Sequence, residues 1–127
     1  MTLICGRVNF FSGPHLVFKY WLRGKFMRII IVGCGKVGSS IASELNLEGH
    51  EISVVDINHG AVDKLANSLD VLGIEGNGAT YDVLIEAGAE YADLLIAATA
   101  RDEINLYSCL MAKAAGVTHT IARVRNP

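Results

Sequence analysis

In the stretch RIIIVGCGKVGSSIASEL, residues 28–45, glycines at 33, 35 and 38 close a run of β-branched residues and open a helical pattern. Few local features restrict a fold more. The first glycine permits a tight turn after a strand, the second lets backbone approach a pyrophosphate, and the third lets the following helix pack close to that strand. The helix start adds unpaired N–H groups and partial positive charge for phosphate oxygens. Asp56 ends the next β-branched run, about 20 residues beyond the loop, where a carboxylate accepts hydrogen bonds from a ribose diol and repels a 2′-phosphate. A glycine-rich turn followed by a helix-capping aspartate would show some of these features. The strand before, the helix after and Asp56 together select a dinucleotide fingerprint, with NAD or an adenine nucleotide favoured over NADP.

The rest of the chain keeps the rhythm that this loop starts. Short β-branched runs at 28–32, 51–56, 70–75, 93–99 and 118–124 predict strands, and apolar residues at three- and four-residue spacings predict helices over 36–48, 59–69, 80–88 and 102–115. The nearly continuous apolar runs 29–32 and 94–98 belong to parallel strands covered on both faces. The fold class is α/β: a Rossmann-like, doubly wound parallel sheet of βαβ repeats in three αβα layers. The sequence ends at Pro127, just after the fifth of these strands, so the sixth strand unit of such a sheet reads as truncated and the fifth strand's outer edge as open. Self-association through that edge and the 102–115 helix, with Leu106, Leu110 and Met111 as its contact face, follows as an expectation.

A length of 127 residues allows one domain. Residues 1–26 carry Arg7, Lys19, Arg23 and Lys25 and no acid, whereas residues 27–127 carry seven basic and thirteen acidic side chains. An acidic body argues against a nucleic-acid partner, whose phosphates demand a basic face. Cys5, Cys34 and Cys109 lack metal-ligand spacing, as do His15, His50, His59 and His119, so reduced thiols and no metal are expected. No apolar run reaches the ~18 residues that span a bilayer. The domain reading is therefore 1–26 as an N-terminal extension, non-native or disordered, and 27–127 as the nucleotide-binding domain starting at Met27. The alternative for 1–26 is a basic amphipathic arm that touches a membrane surface or a channel subunit.

In open α/β sheets ligands lie outside the carboxyl ends of the strands. That places GNGA (76–79) and AATA (97–100) at the ligand, with Asn77 near adenine or ribose and Thr99 near the ribose or the nicotinamide side, although either could be turn chemistry alone. Lys36, on the first helical turn, is either a phosphate contact or a solvated lysine. Cys34 reads as a small loop residue rather than a reactive thiol. Asp102, Glu103 and Asn105 open a helix, where acids offset its positive end.

The stretches IIIVGCGKVGSSIASELNLEGHEISVVD, GNGATYDVLIEAGAEYADLLIAATARDEINL and IARVRNP together resemble the N-terminal domain of the regulators of potassium conductance, the RCK or KTN domain, as found in the peripheral subunit of bacterial Trk potassium uptake systems. The resemblance implies a regulatory subunit and no enzyme: a cytoplasmic protein, peripheral to the inner face of the membrane, that binds NAD(H) or ATP/ADP and gates a potassium transporter or channel subunit. Homo-oligomers, dimers and higher rings, are implied too. By the family's pattern Gly33, Cys34, Gly35, Lys36 and Val37 hold phosphates with Gly38 behind them, Asp56 and Ile57 take the ribose, and Asn77 and Gly78 the adenosine side. Ala98, Thr99 and Ala100 line the cleft, Arg123 lies near the phosphates, and Glu103 near the cleft and subunit interface. Asn77 stands where many relatives carry an acid. The competing class is a cofactor-binding fragment of an NAD-dependent oxidoreductase, and a scaffold in a glutathione-regulated potassium exporter would share the fold.

Overall fold

The computed structural model describes residues 26–125 in full, together with the backbone of residues 2–5 and 10–11. The described strands are β1 (Thr2–Cys5), β2 (Phe10–Phe11), β3 (Arg28–Val32), β4 (Glu51–Asp56), β5 (Leu72–Glu75), β6 (Leu94–Ala97) and β7 (His119–Arg123). They form one sheet in the order β2-β1-β7-β6-β3-β4-β5, parallel from β7 to β5. The described helices α1 (Lys36–Leu47), α2 (His59–Ser68), α3 (Tyr81–Glu86) and α4 (Asp102–Ala115) connect the parallel strands, with a single 3-10 turn at Ala89–Tyr91.

Alternation along the strands divides the core in two. Ile29, Ile31, Ile52, Val54, Leu94 and Ile96 pack with Ala42 and Leu45 of α1 and Val62 and Leu65 of α2. Ile30, Val32, Val55, Leu95 and Ala97 pack on the other face with Leu84 of α3 and Cys109 and Ala112 of α4. This is why RIIIV shows no polar alternation: both faces of β3 are covered, and each of its isoleucines contributes about 1.5–3 kcal/mol by leaving water. From β3 the chain adds β4 and β5 on one side, then crosses to add β6 and β7 on the other. The order therefore reverses between β3 and β6, which opens a crevice at their carboxyl ends.

The five parallel strands and four helices agree with the sequence reading, with trimmed ends. Residues 70–71 and 98–99 leave the sheet: Val71 N–H closes a turn on the Leu69 carbonyl, and Thr99 turns toward α4. The open outer edge is corrected. β1 pairs antiparallel with β7, Thr2 opposite Arg123 and Cys5 opposite Thr120, and β2 pairs with β1. The ladder groups of β7 that would face solvent are met by backbone from the segment read as an extension, in the place a sixth strand takes in a doubly wound sheet. Other positions of 1–25, and 126–127, lie outside the described residues. The contact face expected on α4 is also corrected: Leu106 and Met111 pack against the core, while Leu110 and Tyr107 are exposed.

Candidate functional site

The glycine loop is shaped by two close approaches. Gly33 has φ +109° and donates its N–H to the Val55 carbonyl at 2.7 Å, and a Cβ there would lie 2.9 Å from the Ala98 backbone. A Cβ on Gly38 would collide with the Gly33 carbonyl oxygen, so this glycine lets α1 start directly beneath the loop. Gly35, the N-cap of α1, differs from both. Its φ of −75° suits any residue, and nothing lies within 4 Å of the Cβ it lacks. Neither packing nor backbone geometry requires glycine at this position. Open space lies above it.

That space is a cleft of about 600 Å³ at the carboxyl ends of the strands. Gly33, Gly35, Lys36, Val37, Asp56, Ile57, Asn77, Gly78, Ala98, Thr99, Ala100 and Arg123 all line it. Three residues expected there do not. Cys34 is buried, and burial, with the neighbouring Asp56 charge adding to it, pushes its thiol up to about 11. Gly38 lies under the loop. Glu103 is exposed and paired with Arg101, Oε1 to Nη2 at 2.7 Å, and its own backbone N–H and that guanidinium hold its carboxyl below the usual value.

Gly76, of the GNGA segment, lines the cleft as expected, and Val32, Val55, Arg101, Ile104 and Arg125 line it without having been singled out in the sequence. Val32 and Val55 stand at or next to the carboxyl ends of β3 and β4, a position the strand pattern could have given. Arg101 and Arg125 each lie two residues past a residue that was singled out, Thr99 and Arg123, with no motif of their own. Together they define the electrostatics. Lys36, Arg101, Arg123 and Arg125, four of the seven basic residues after position 26, line the cleft against one of thirteen acids, Asp56. A domain that is acidic as a whole has gathered its positive charge in one place. That focuses potential toward an anion.

Asp56 Oδ2 accepts the Cys34 N–H at 2.7 Å and Oδ1 accepts the Asn58 N–H at 2.9 Å. Asn77 combines turn chemistry with cleft lining: its Oδ1 accepts the Ala79 N–H at 2.9 Å. The Thr99 hydroxyl donates to Asn105 Oδ1 at 2.7 Å. A second groove, of about 460 Å³, lies at the amino ends of β3 and β4 under the Ala87–Ala92 segment. Its charged groups, Arg28, Glu51 and Glu86, do not favour an anion, and Arg28 is paired with Glu51 at 2.8 Å. No group of three His, Cys, Asp or Glu side chains among the described residues is placed to hold a metal ion.

Sheet order, glycine loop and Asp56 define a Rossmann-like domain with its crevice at the strand-order reversal. Residues 29–127 match the TrkA-N domain, and the chain belongs to that family. It is 41% identical over 101 residues to the Trk system potassium uptake protein TrkA homolog of Archaeoglobus fulgidus, an alignment that takes in 80% of this chain and 23% of that protein. Across relatives of this name the chain spans from 22% to 47% of their length. Among solved structures it resembles the TrkA-N domain of inner membrane protein ybaL from Escherichia coli, with a TM-score of 0.65 and 24% identity, covering 73% of this chain and 68% of that one. It also resembles the Shewanella denitrificans Kef CTD in its AMP-bound form, with a TM-score of 0.60 and 26% identity, covering 68% and 52%.

Proposed function

We propose that this chain is the nucleotide-sensing domain of a regulatory subunit of a potassium uptake system, and that its cleft takes the ADP moiety shared by NAD(H), ATP and ADP. One observation carries the reading: Gly35 leaves open space at a helix N-terminus, in a cleft lined by Lys36, Arg123 and Arg125 and by Arg101, which is ion-paired with Glu103. Phosphates rest against the loop and the start of α1, Asp56 takes the ribose, and Ile57, a large apolar side chain 74% exposed at the cleft, covers the base. The AMP-bound Kef structure supports an adenine nucleotide, and the names of the relatives support a role in potassium uptake.

The ionisable side chains lining the cleft are Lys36, Asp56, Arg101, Arg123 and Arg125, a set suited to holding an anion rather than to moving a proton. A sensor needs such a grip and two conformations of different affinity, whereas an oxidoreductase also needs groups beside the reacting carbon. The partner is a membrane potassium transporter or channel subunit, met on the cytoplasmic face, with further copies of this chain in a homo-oligomer. No helix among the described residues is long and apolar enough to cross a membrane itself. Titrating the chain calorimetrically with NADH, NAD, ATP, ADP and NADPH tests the cleft. Binding of the first four, with NADPH weaker, is expected; no heat from any of them at millimolar concentration overturns the reading. Restored potassium uptake in bacteria lacking their peripheral Trk subunit, on expression of that subunit with this sequence in place of its matching segment, tests the role.

A further inference from the structure

Asn105 is fully buried on α4 and lies outside the cleft lining. Its amide is nevertheless saturated by the cleft's walls. Oδ1 accepts the Thr99 N–H at 2.9 Å and the Thr99 hydroxyl at 2.7 Å, while Nδ2 donates to the Thr99 carbonyl at 3.2 Å and to the Arg123 carbonyl at 2.8 Å. Both donors and both acceptor positions are used, so the side chain has one orientation and fixes two segments to one another. Three residues before it, Asp102 accepts the Arg125 N–H with both oxygens at 3.0 Å. Three residues after it, buried Ser108 donates to the Gly78 carbonyl at 2.8 Å. One face of α4 thus ties down the loop after β5, the loop after β6 and the end of β7.

We propose that Asn105 is a positioning residue for the ligand: by joining Thr99 to Arg123 it sets the distance between the loop after β6 and the end of β7, where two of the cleft's four basic residues, Arg123 and Arg125, lie. The inference rests on the reading of the cleft as a site for ADP-containing nucleotides. A leucine here would leave the Thr99 N–H, hydroxyl and carbonyl and the Arg123 carbonyl without these partners, so the amide serves the fold as well as the cleft. β6 and β7 already pair as far as Ala97 and Ala122, and what the amide adds is a fixed geometry where the two segments run on past that pairing into the cleft wall. Arg123 and Arg125 bracket this tie, the first through its carbonyl to Asn105 and the second through its N–H to Asp102. Loosening Asn105 therefore displaces positive charge from the phosphates.

The test is a double-mutant cycle on the full chain with ADP as the probe, using Asn105→Ala, Arg123→Ala and the pair. ADP affinity falls about tenfold in Asn105→Ala and changes by much less when Arg123 is already alanine, since coupled sites are non-additive. An equal loss in both backgrounds assigns Asn105 to general stability and overturns the proposal. So does unchanged affinity in a folded Asn105→Ala. If wild-type chain gives no heat with ADP, the cleft reading itself fails, and this inference with it. A second measurement needs no variant: in nitrogen-labelled wild-type protein, saturating ADP shifts the Asn105 side-chain amide resonance and slows exchange of its protons. An Asn105 amide indifferent to bound ADP overturns the proposal even if the alanine variant does not fold.

Discussion

The Asp56 carboxylate accepts the Cys34 amide proton at 2.7 Å, so the acidic end of β4 and the glycine loop after β3 are joined without a ligand. The same carboxylate takes the Asn58 N–H at 2.9 Å through its other oxygen. Each oxygen keeps a lone-pair direction for a ribose hydroxyl. The group proposed to take the ribose also holds the glycine loop in shape.

Replacing Asp56 therefore removes two functions at once. Asp56→Ala is expected to weaken NADH binding by about 1–3 kcal/mol, the range for a charge-assisted hydrogen bond, and to relax discrimination against NADPH. Calorimetry with both nucleotides checks this. Unchanged selectivity would place the ribose contact elsewhere.

The glycines of the loop separate by mechanism. At Gly35→Val the new Cβ has no protein atom within 4 Å and φ is ordinary, so the variant should melt close to wild type and lose nucleotide binding. Gly38→Ala drives a methyl into the Gly33 carbonyl, and overpacking of that kind costs about 1–3 kcal/mol of stability. Urea unfolding of the two variants beside an ADP titration distinguishes them. A folded Gly35→Val with full affinity would sink the loop assignment.

Cys34 gives a pH dependence with a definite sign. The folded chain holds its thiol proton up to about 11, above the ordinary value of 9.0, because burial and the Asp56 charge disfavour the thiolate. The native state keeps a proton that the unfolded chain releases, so Cys34 takes nothing from stability below pH 9 and lowers it progressively as the pH rises from 9 to about 11. Denaturation midpoints measured across that window should fall less steeply in Cys34→Ala. Iodoacetamide at pH 8 should leave Cys34 of the folded protein unmodified.

Removing residues 1–25 tests the division of the chain. With β1 gone the edge of β7 is unpaired, so the shortened protein should melt lower and sediment with concentration-dependent association, while ADP affinity stays near wild type because the described cleft residues all lie beyond position 31. Equal melting and a strict monomer would show that the extension contributes nothing to the sheet.

Much of this molecule is encoded locally. The glycine spacing, the β-branched runs and the helical periodicities each depend on neighbours within a few residues, because turn geometry, burial on two faces and helix packing all act at that range. They were enough to place the strands, the helices and the glycine loop between them. Three other features arise only when distant segments meet. Arg101 and Arg125 carry no motif, and they become cleft cations only because α4 starts and β7 ends on the same side of the sheet. Asn105 reads as one more polar residue in a helix's first turn, and its role exists only through Thr99 and the Arg123 carbonyl, 18 residues away. A four-residue strand such as Thr2–Cys5 has almost no pattern of its own, and the exposed ladder of β7 decides its place. Sequence determines what each segment can be, since those preferences are short-ranged. Tertiary structure decides which charges and hydrogen bonds converge, since that depends on how the segments close in space.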